Sequence, residues 1–156
     1  MSNPLETSEI AQALTFSLED ETFAIPVGNV SEIIDPLPIT AAPNANRSVP
    51  GLVNVRGAIA PVLDLRHRLG MMPGNISESS RMLILDFSVE GETTKVAILV
   101  DDVNDITEST QHDLESIPQL GAKWPAELIK GAFRIDGNIA ILLDVNAALA
   151  PELPGI

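Results

Sequence analysis

Few side chains in this sequence have the type and spacing for chemistry. Asp64 and Asp144 stand at matching places in two apolar stretches, I-A-P-V-L-D-L and I-A-I-L-L-D-V. Two carboxylates related in this way could share a proton, as the pair in an aspartic hydrolase does. Neither lies in a D-T-G or D-S-G sequence, and each is followed by a short apolar-periodic turn, the place of a helix N-cap. The N-cap reading is the stronger, and an acid hydrolase using Asp64 and Asp144 is the least favoured alternative. His67 and His112 are far apart and lack metal-ligand spacing, and there is no cysteine to supply a thiolate. The adjacent carboxylates Asp101 and Asp102 read as a solvated turn rather than a cation site. Nucleophile-elbow, Walker and dinucleotide signatures are absent. No catalytic constellation emerges, so the sequence points to a binding module rather than an enzyme, with no cofactor and no metal expected.

The remaining candidate is Arg56. It lies in residues 51–65, G-L-V-N-V-R-G-A-I-A-P-V-L-D-L, where two apolar runs are split by Gly57. Such runs read as two strands joined by a tight turn. An arginine beside that turn must reach water or find a carboxylate, and Glu32 and Asp35 are the candidates. The stretch recurs 80 residues later as G-A-F-R-I-D-G-N-I-A-I-L-L-D-V. Gly51, Gly57, Ile59, Ala60 and Asp64 align with Gly131, Gly137, Ile139, Ala140 and Asp144. Two upstream blocks repeat in the same order: F-S-L-E-D-E (16–21) with F-S-V-E-G-E (87–92), and A-I-P-V-G-N-V-S-E-I (24–33) with A-I-L-V-D-D-V-N-D-I (97–106). Three blocks in order indicate a duplicated unit. The second copy has Asp136 where the first has Arg56, so the arginine serves something other than the shared fold.

The elements around these residues follow from patterning. Hairpins are expected at 13–18 with 22–27 and at 81–89 with 94–100, and a further strand at Val30 to Ile34. Residues 35–50 carry Pro36, Pro38, Pro43 and Pro50, which permit only an edge strand near Leu37 to Ala41 followed by a loop. Asp64 caps a short helix ending at Gly70, residues 71–80 form a mobile loop, and Met71 and Met72 pack it on the core. Residues 107–128 are a polar connection with a strand ending near Pro118. Pro125 opens a short helical turn, Trp124 is a lid on the core, and N-A-A-L-A gives a last helical turn.

Composition sets the class. With 156 residues, 45% of them hydrophobic, one domain with a packed core is expected. The net charge of −13 argues against nucleic acid or an anionic membrane as partner. The start has no basic and apolar leader, and no run approaches the ~18 apolar residues of a membrane span, so a cytoplasmic protein is expected. Many short strands, two internal copies and 22 Pro and Gly point to a mainly β fold of two packed barrels.

N-V-R-G (54–57) followed by A-I-A-P-V-L-D-L-R resembles the CheW family of bacterial chemotaxis adaptors. V-S-E-I at 30–33, L-V-D-D-V at 99–103 and the closing G-N-I-A-I-L-L-D-V agree with it in order and spacing. The resemblance covers roughly residues 11–150, between a flexible tail at 1–10 and another at 151–156. It implies two five-stranded lobes, each resembling a Src-homology-3 barrel: lobe 1 at about 17–86, lobe 2 at about 11–16 plus 87–150, with short helices after the repeat hairpins. It also implies a non-catalytic adaptor that couples the cytoplasmic tips of chemoreceptors to the regulatory domain of a CheA-type histidine kinase. Such an adaptor would sit at the inner face of the membrane through receptor arrays, with contacts between CheW copies. The same fold in another kinase pathway, such as surface sensing or pilus control, is the alternative. By motif position, Glu32, Asn54, Arg56 and Gly57 would bind the receptor, and Val30, Ile39, Thr40 and Gly51 the kinase.

Overall fold

Apolar runs broken by two- and three-residue polar turns produce short antiparallel strands here. A computed structural model describes residues 12–41, 49–89, 91–108, 115, 124–135 and 137–149. The strands are β1 (Gln12–Leu18), β2 (Glu21–Pro26), β3 (Val30–Ile34), β4 (Thr40–Ala41), β5 (Gly51–Val55), β6 (Ala58–Leu63), β7 (Arg81–Val89), β8 (Glu92–Val100), β9 (Asp102–Glu108), β10 (Ile129–Ile135) and β11 (Asn138–Leu143). Two short helices, α1 (Leu65–Arg68) and α2 (Val145–Leu149), follow β6 and β11, and 3-10 turns occupy Val27–Asn29 and Ala126–Leu128. The expected tails, His112, Asp136 and the strand ending near Pro118 lie outside the described residues.

The strands form two sheets, ordered β10-β11-β2-β1-β9 and β3-β7-β8-β6-β5-β4. The second has six strands rather than five because the two-residue β4 is added to its edge. Pro36 and Pro38 confine β4 to Thr40–Ala41, shorter than the strand expected near Leu37 to Ala41. The duplication is visible: β1-β2-β3 answers to β7-β8-β9, and β5-β6-α1 to β10-β11-α2. Yet each copy lends its first hairpin to the other. β2 pairs in parallel with β11, and β1 with β9, while β8 pairs in parallel with β6, and β7 with β3.

This exchange corrects the expected lobe limits of 17–86 and 11–16 plus 87–150. β1 and β2 are paired along their whole length, Ala13 opposite Pro26 through Leu18 opposite Glu21, so they cannot be divided between lobes. The same holds for β7 and β8. The chain passes between sheets at 27–29 and again at Asp101, after each hairpin rather than within it.

Central strands are buried on both faces, which is why they read as unbroken apolar runs. On β7, Leu83, Leu85 and Phe87 enter a large cluster shared by the two sheets, while Met82 and Ile84 enter a smaller cluster on the far face. On β1, Leu14, Phe16 and Leu18 face the shared cluster, and Ala13 joins a third with Phe133 and Leu142. Phe16 stacks on Phe23 with ring centroids 6.1 Å apart, and Trp124 meets Phe23 edge-on at 5.6 Å, the expected lid. Burying each of those fully enclosed phenylalanines stabilises by roughly 2–3 kcal/mol, against ~0–1 for an exposed ion pair, so apolar packing dominates.

One polar cluster ties the sheets together. The Arg66 side chain on α1 is only 11% exposed and pairs with Asp101 at the β8–β9 crossing and with Glu19 in the β1–β2 turn. Asp101 also accepts the Glu19 N–H at 2.6 Å, holding that residue at a positive φ of 55°. Nearby, Arg68 donates to the carbonyls of Ala147 and Ala148 at the end of α2, where a cation suits the helix dipole. The second copy has Asn146 and Ala148 at the corresponding places.

Candidate functional site

The two aspartates separate cleanly from any catalytic reading. Asp64 accepts the His67 N–H at 3.1 Å and Asp144 accepts the Ala147 N–H at 3.1 Å, so each carboxylate caps its own short helix. Among the described residues, no group of three or more His, Asp or Glu has the arrangement to hold a metal ion. No described helix is long and apolar enough to cross a membrane.

Arg56 and Gly57 form the whole turn between β5 and β6, since Val55 pairs directly with Ala58. Their φ values are +53° and +89°, the type I′ geometry that matches the twist of a hairpin. This turn prefers Asn, Asp or Gly at its first position, and the repeat supplies Asp136-Gly137 there in sequence. Arginine in that left-handed conformation costs roughly 1 kcal/mol. Asn54 supports the turn: its Oδ1 accepts the Gly57 N–H at 2.7 Å. The Arg56 side chain is 76% exposed, and its Nη1 lies 2.7 Å from Glu32 Oε1, whose side chain is 23% exposed. Asp35, the other expected partner, lies instead 3.8 Å from Arg81.

Glu32, Asn54, Arg56 and Gly57 are thus brought together. An exposed isoleucine, Ile59, stands directly opposite Asn54 across the hairpin and is 64% exposed. Sequence reasoning aligned Ile59 with Ile139 but gave it no role. The available signal was alternation: Ala60 and Val62 face the core, so Ile59 faces out.

The other four candidates are less unified. Ile39, Thr40 and Gly51 gather at the β4–β5 edge, where Thr40 pairs with Leu52 and Ala41 with Gly51. Ile39 is exposed and Gly51 is buried. A Cβ at residue 51 would overlap the Thr40 carbonyl oxygen and come within 2.7 Å of Ile39 Cγ2. Gly51 therefore permits the close approach of β4, and any side chain there displaces the edge strand. Val30 pairs with Leu85 at the sheet's opposite end and packs on the shared core.

The second copy builds a different edge. Glu115 bridges Ala132 through two backbone hydrogen bonds of 2.8 Å, at the position where Thr40 meets Leu52 in the first copy. The Arg134 guanidinium holds Glu115 with contacts of 2.6 and 3.3 Å, keeping its carboxyl below the usual glutamate range. The bound form is the carboxylate. The pair's contribution is therefore present above the unfolded glutamate pKa and is lost as pH falls through the lowered folded value. A carboxyl NMR titration should show Glu115 titrating below an ordinary glutamate, and Arg134→Gln should return it to the ordinary range.

Comparison with known proteins places this arrangement. Residues 12–152 match the family model described as CheW-like domain. The chain is 29% identical over 136 residues to the probable chemotaxis protein CheW of Rhizobium etli, covering 87% of this chain and 85% of that one. It is 26% identical over 152 residues to the chemotaxis protein CheW of Bacillus subtilis, covering 97% and 94%. The crystal structure of the scaffolding protein TtCheW from Thermoanaerobacter tengcongensis superposes with a TM-score of 0.76 at 25% identity, over 86% of this chain and 84% of that one.

Proposed function

The chain belongs to the CheW family, and on that footing we propose that it is a non-catalytic adaptor coupling chemoreceptor tips to the regulatory domain of a CheA-type histidine kinase. The observation that carries this reading is Arg56: a solvated cation held in a strained turn where the fold itself would be better served by Asn or Asp. Glu32 orients the guanidinium, Asn54 and Gly57 fix the turn, and Ile59 adds an apolar neighbour, so the turn is assigned to the receptor. A partner that displaces Glu32 from Arg56 loses little, because an exposed pair of this kind is worth only ~0–1 kcal/mol.

The kinase is assigned to the β4–β5 edge. Ile39 and Thr40 make the contact, Gly51 lets β4 close, and Val30 supports the sheet from behind. A short exposed edge strand is a common place for a partner to dock. The adaptor acts at the inner face of the membrane by being held in receptor arrays.

The test is a calorimetric titration of the full chain into the regulatory domain of a CheA-type kinase from the same organism. Ile39→Asp should weaken binding at least about tenfold, ~1.4 kcal/mol, with the circular dichroism spectrum unchanged. Gly51→Asp is a poorer probe, because its side chain would push β4 off the sheet. If the wild type binds no such kinase domain, the adaptor reading falls.

A further inference from the structure

The loop at 71–80, expected to be mobile, is pinned along its length. The Met71 N–H donates to the Arg66 carbonyl at 2.8 Å, and Met71 itself packs on the shared core. Gly74 lies against the Arg66 guanidinium so closely that any side chain at 74 would strike it. At the far end, the Ser77 N–H donates to Ser80 Oγ at 2.8 Å, the Ser80 N–H to the Ser77 carbonyl at 3.1 Å, and Ser79 Oγ to the Asp101 carbonyl at 3.0 Å.

This anchored loop nevertheless presents Met72 and Ile76 to solvent, 74% and 59% exposed. Met72 is the most exposed large apolar side chain among the described residues. Scattered apolar residues on a surface are ordinary, but two on one short loop held at both ends have lost the freedom they would otherwise forfeit on binding. Methionine also adapts its shape to a partner's apolar surface.

Charge indicates what that partner is. The loop carries Glu78, and its anchors bring in Glu19 and Asp20 from the β1–β2 turn and Asp101 and Asp102 from the β8–β9 crossing. Against these carboxylates stand Arg66, spent on Glu19 and Asp101, and Arg81, which donates to the Glu78 and Ser80 carbonyls. The rim is therefore acidic, in a chain of net charge −13. The loop offers no strand edge, so strand addition is not its mode of contact. An apolar stripe flanked by lysine or arginine fits both features.

We infer that the 71–80 loop is a docking finger for a basic amphipathic helix of a partner protein, separate from the Arg56 turn and independent of the role assigned to that turn. Met72 and Ile76 enter the apolar stripe, and the surrounding carboxylates meet the basic flanks, which sets orientation and speeds encounter.

The test uses the 15N-labelled full chain and a leucine–lysine amphipathic helix of about 18 residues, five turns. A serine–lysine peptide of the same charge is the control. Expected are amide shifts concentrated in 71–80, salt-weakened binding, and no comparable effect of the control. The double variant Met72→Ser/Ile76→Ser should weaken binding at least about tenfold without lowering the melting temperature, whereas Arg56→Asn should leave it unchanged. Equal binding of the serine–lysine peptide would overturn the inference, because charge alone would then suffice. Shifts centred on the Arg56 turn, or an unaffected double variant, would overturn it as well. Concentration-dependent shifts in 71–80 without peptide would give the loop to a second copy of this chain, and the proposed partner would be wrong.

Discussion

Arg56→Asn should raise the melting temperature while abolishing most receptor binding. The two effects have separate origins. Asparagine adopts the left-handed conformation of a type I′ turn more readily than arginine, a gain of roughly 1 kcal/mol. Loss of the exposed pair with Glu32 takes back about 0.3–0.5 kcal/mol. The net gain of about 0.5 kcal/mol corresponds to ~1–2 °C in a domain of this size. Binding moves the other way: an arginine that anchors an interface is worth about 2 kcal/mol or more on truncation, roughly thirtyfold in Kd. Calorimetric melting beside a titration of a receptor-tip fragment decides the matter. A fall of several degrees would make Arg56 a structural residue, and an unchanged Kd would remove it from the interface.

Arg66→Ala is the most damaging surface-proximal change we foresee. Arg66 is nearly enclosed, and its removal leaves Glu19 and Asp101 facing each other without the cation between them. Charge-assisted hydrogen bonds of this kind are worth about 1.5–3 kcal/mol each. Both carboxylates are partly exposed, so solvent screening reduces the sum to about 2–3 kcal/mol, or roughly 5–10 °C. Adding Asp101→Asn should cost less in the Arg66→Ala background than alone, since the two residues share one cluster. A melting temperature within about 2 °C of wild type would show that core packing alone holds the sheets together.

Much of this was legible in the chain because it is local. The hairpins announced themselves by alternation around E-D-E and E-G-E, and the two N-caps by an aspartate before a short apolar turn. The pairing of Arg56 with Glu32 followed from the cost of an unpaired arginine beside a hydrophobic hairpin. What was hidden depends on residues far apart in sequence. Parallel pairing of β2 with β11 and of β6 with β8 leaves no local mark, so the lobe limits were drawn inside hairpins that the fold keeps whole. The cluster of Glu19, Arg66 and Asp101 joins three unconnected segments, and without it the 71–80 loop read as mobile. Ile59 lay in plain view, but a single apolar residue in an apolar strand gives no hint of which face it occupies.

The exchange of hairpins between the two copies bears on how the protein is made. Residues leave the ribosome in order, and β1 and β2 are among the first. Their sheet partners are β9 at 102–108 and β11 at 138–143, so the first hairpin remains without a sheet until nearly the whole chain has emerged. A product cut after the first copy would have β5 and β6 without the β7–β8 hairpin, and β1 and β2 without β9 to β11. Both fragments would leave long apolar strands open to aggregation and proteolysis. Folding is therefore tied to completed translation, and every folded molecule carries both the Arg56 turn and the β4 edge, with no half-adaptor able to occupy one partner while lacking the surface for the other.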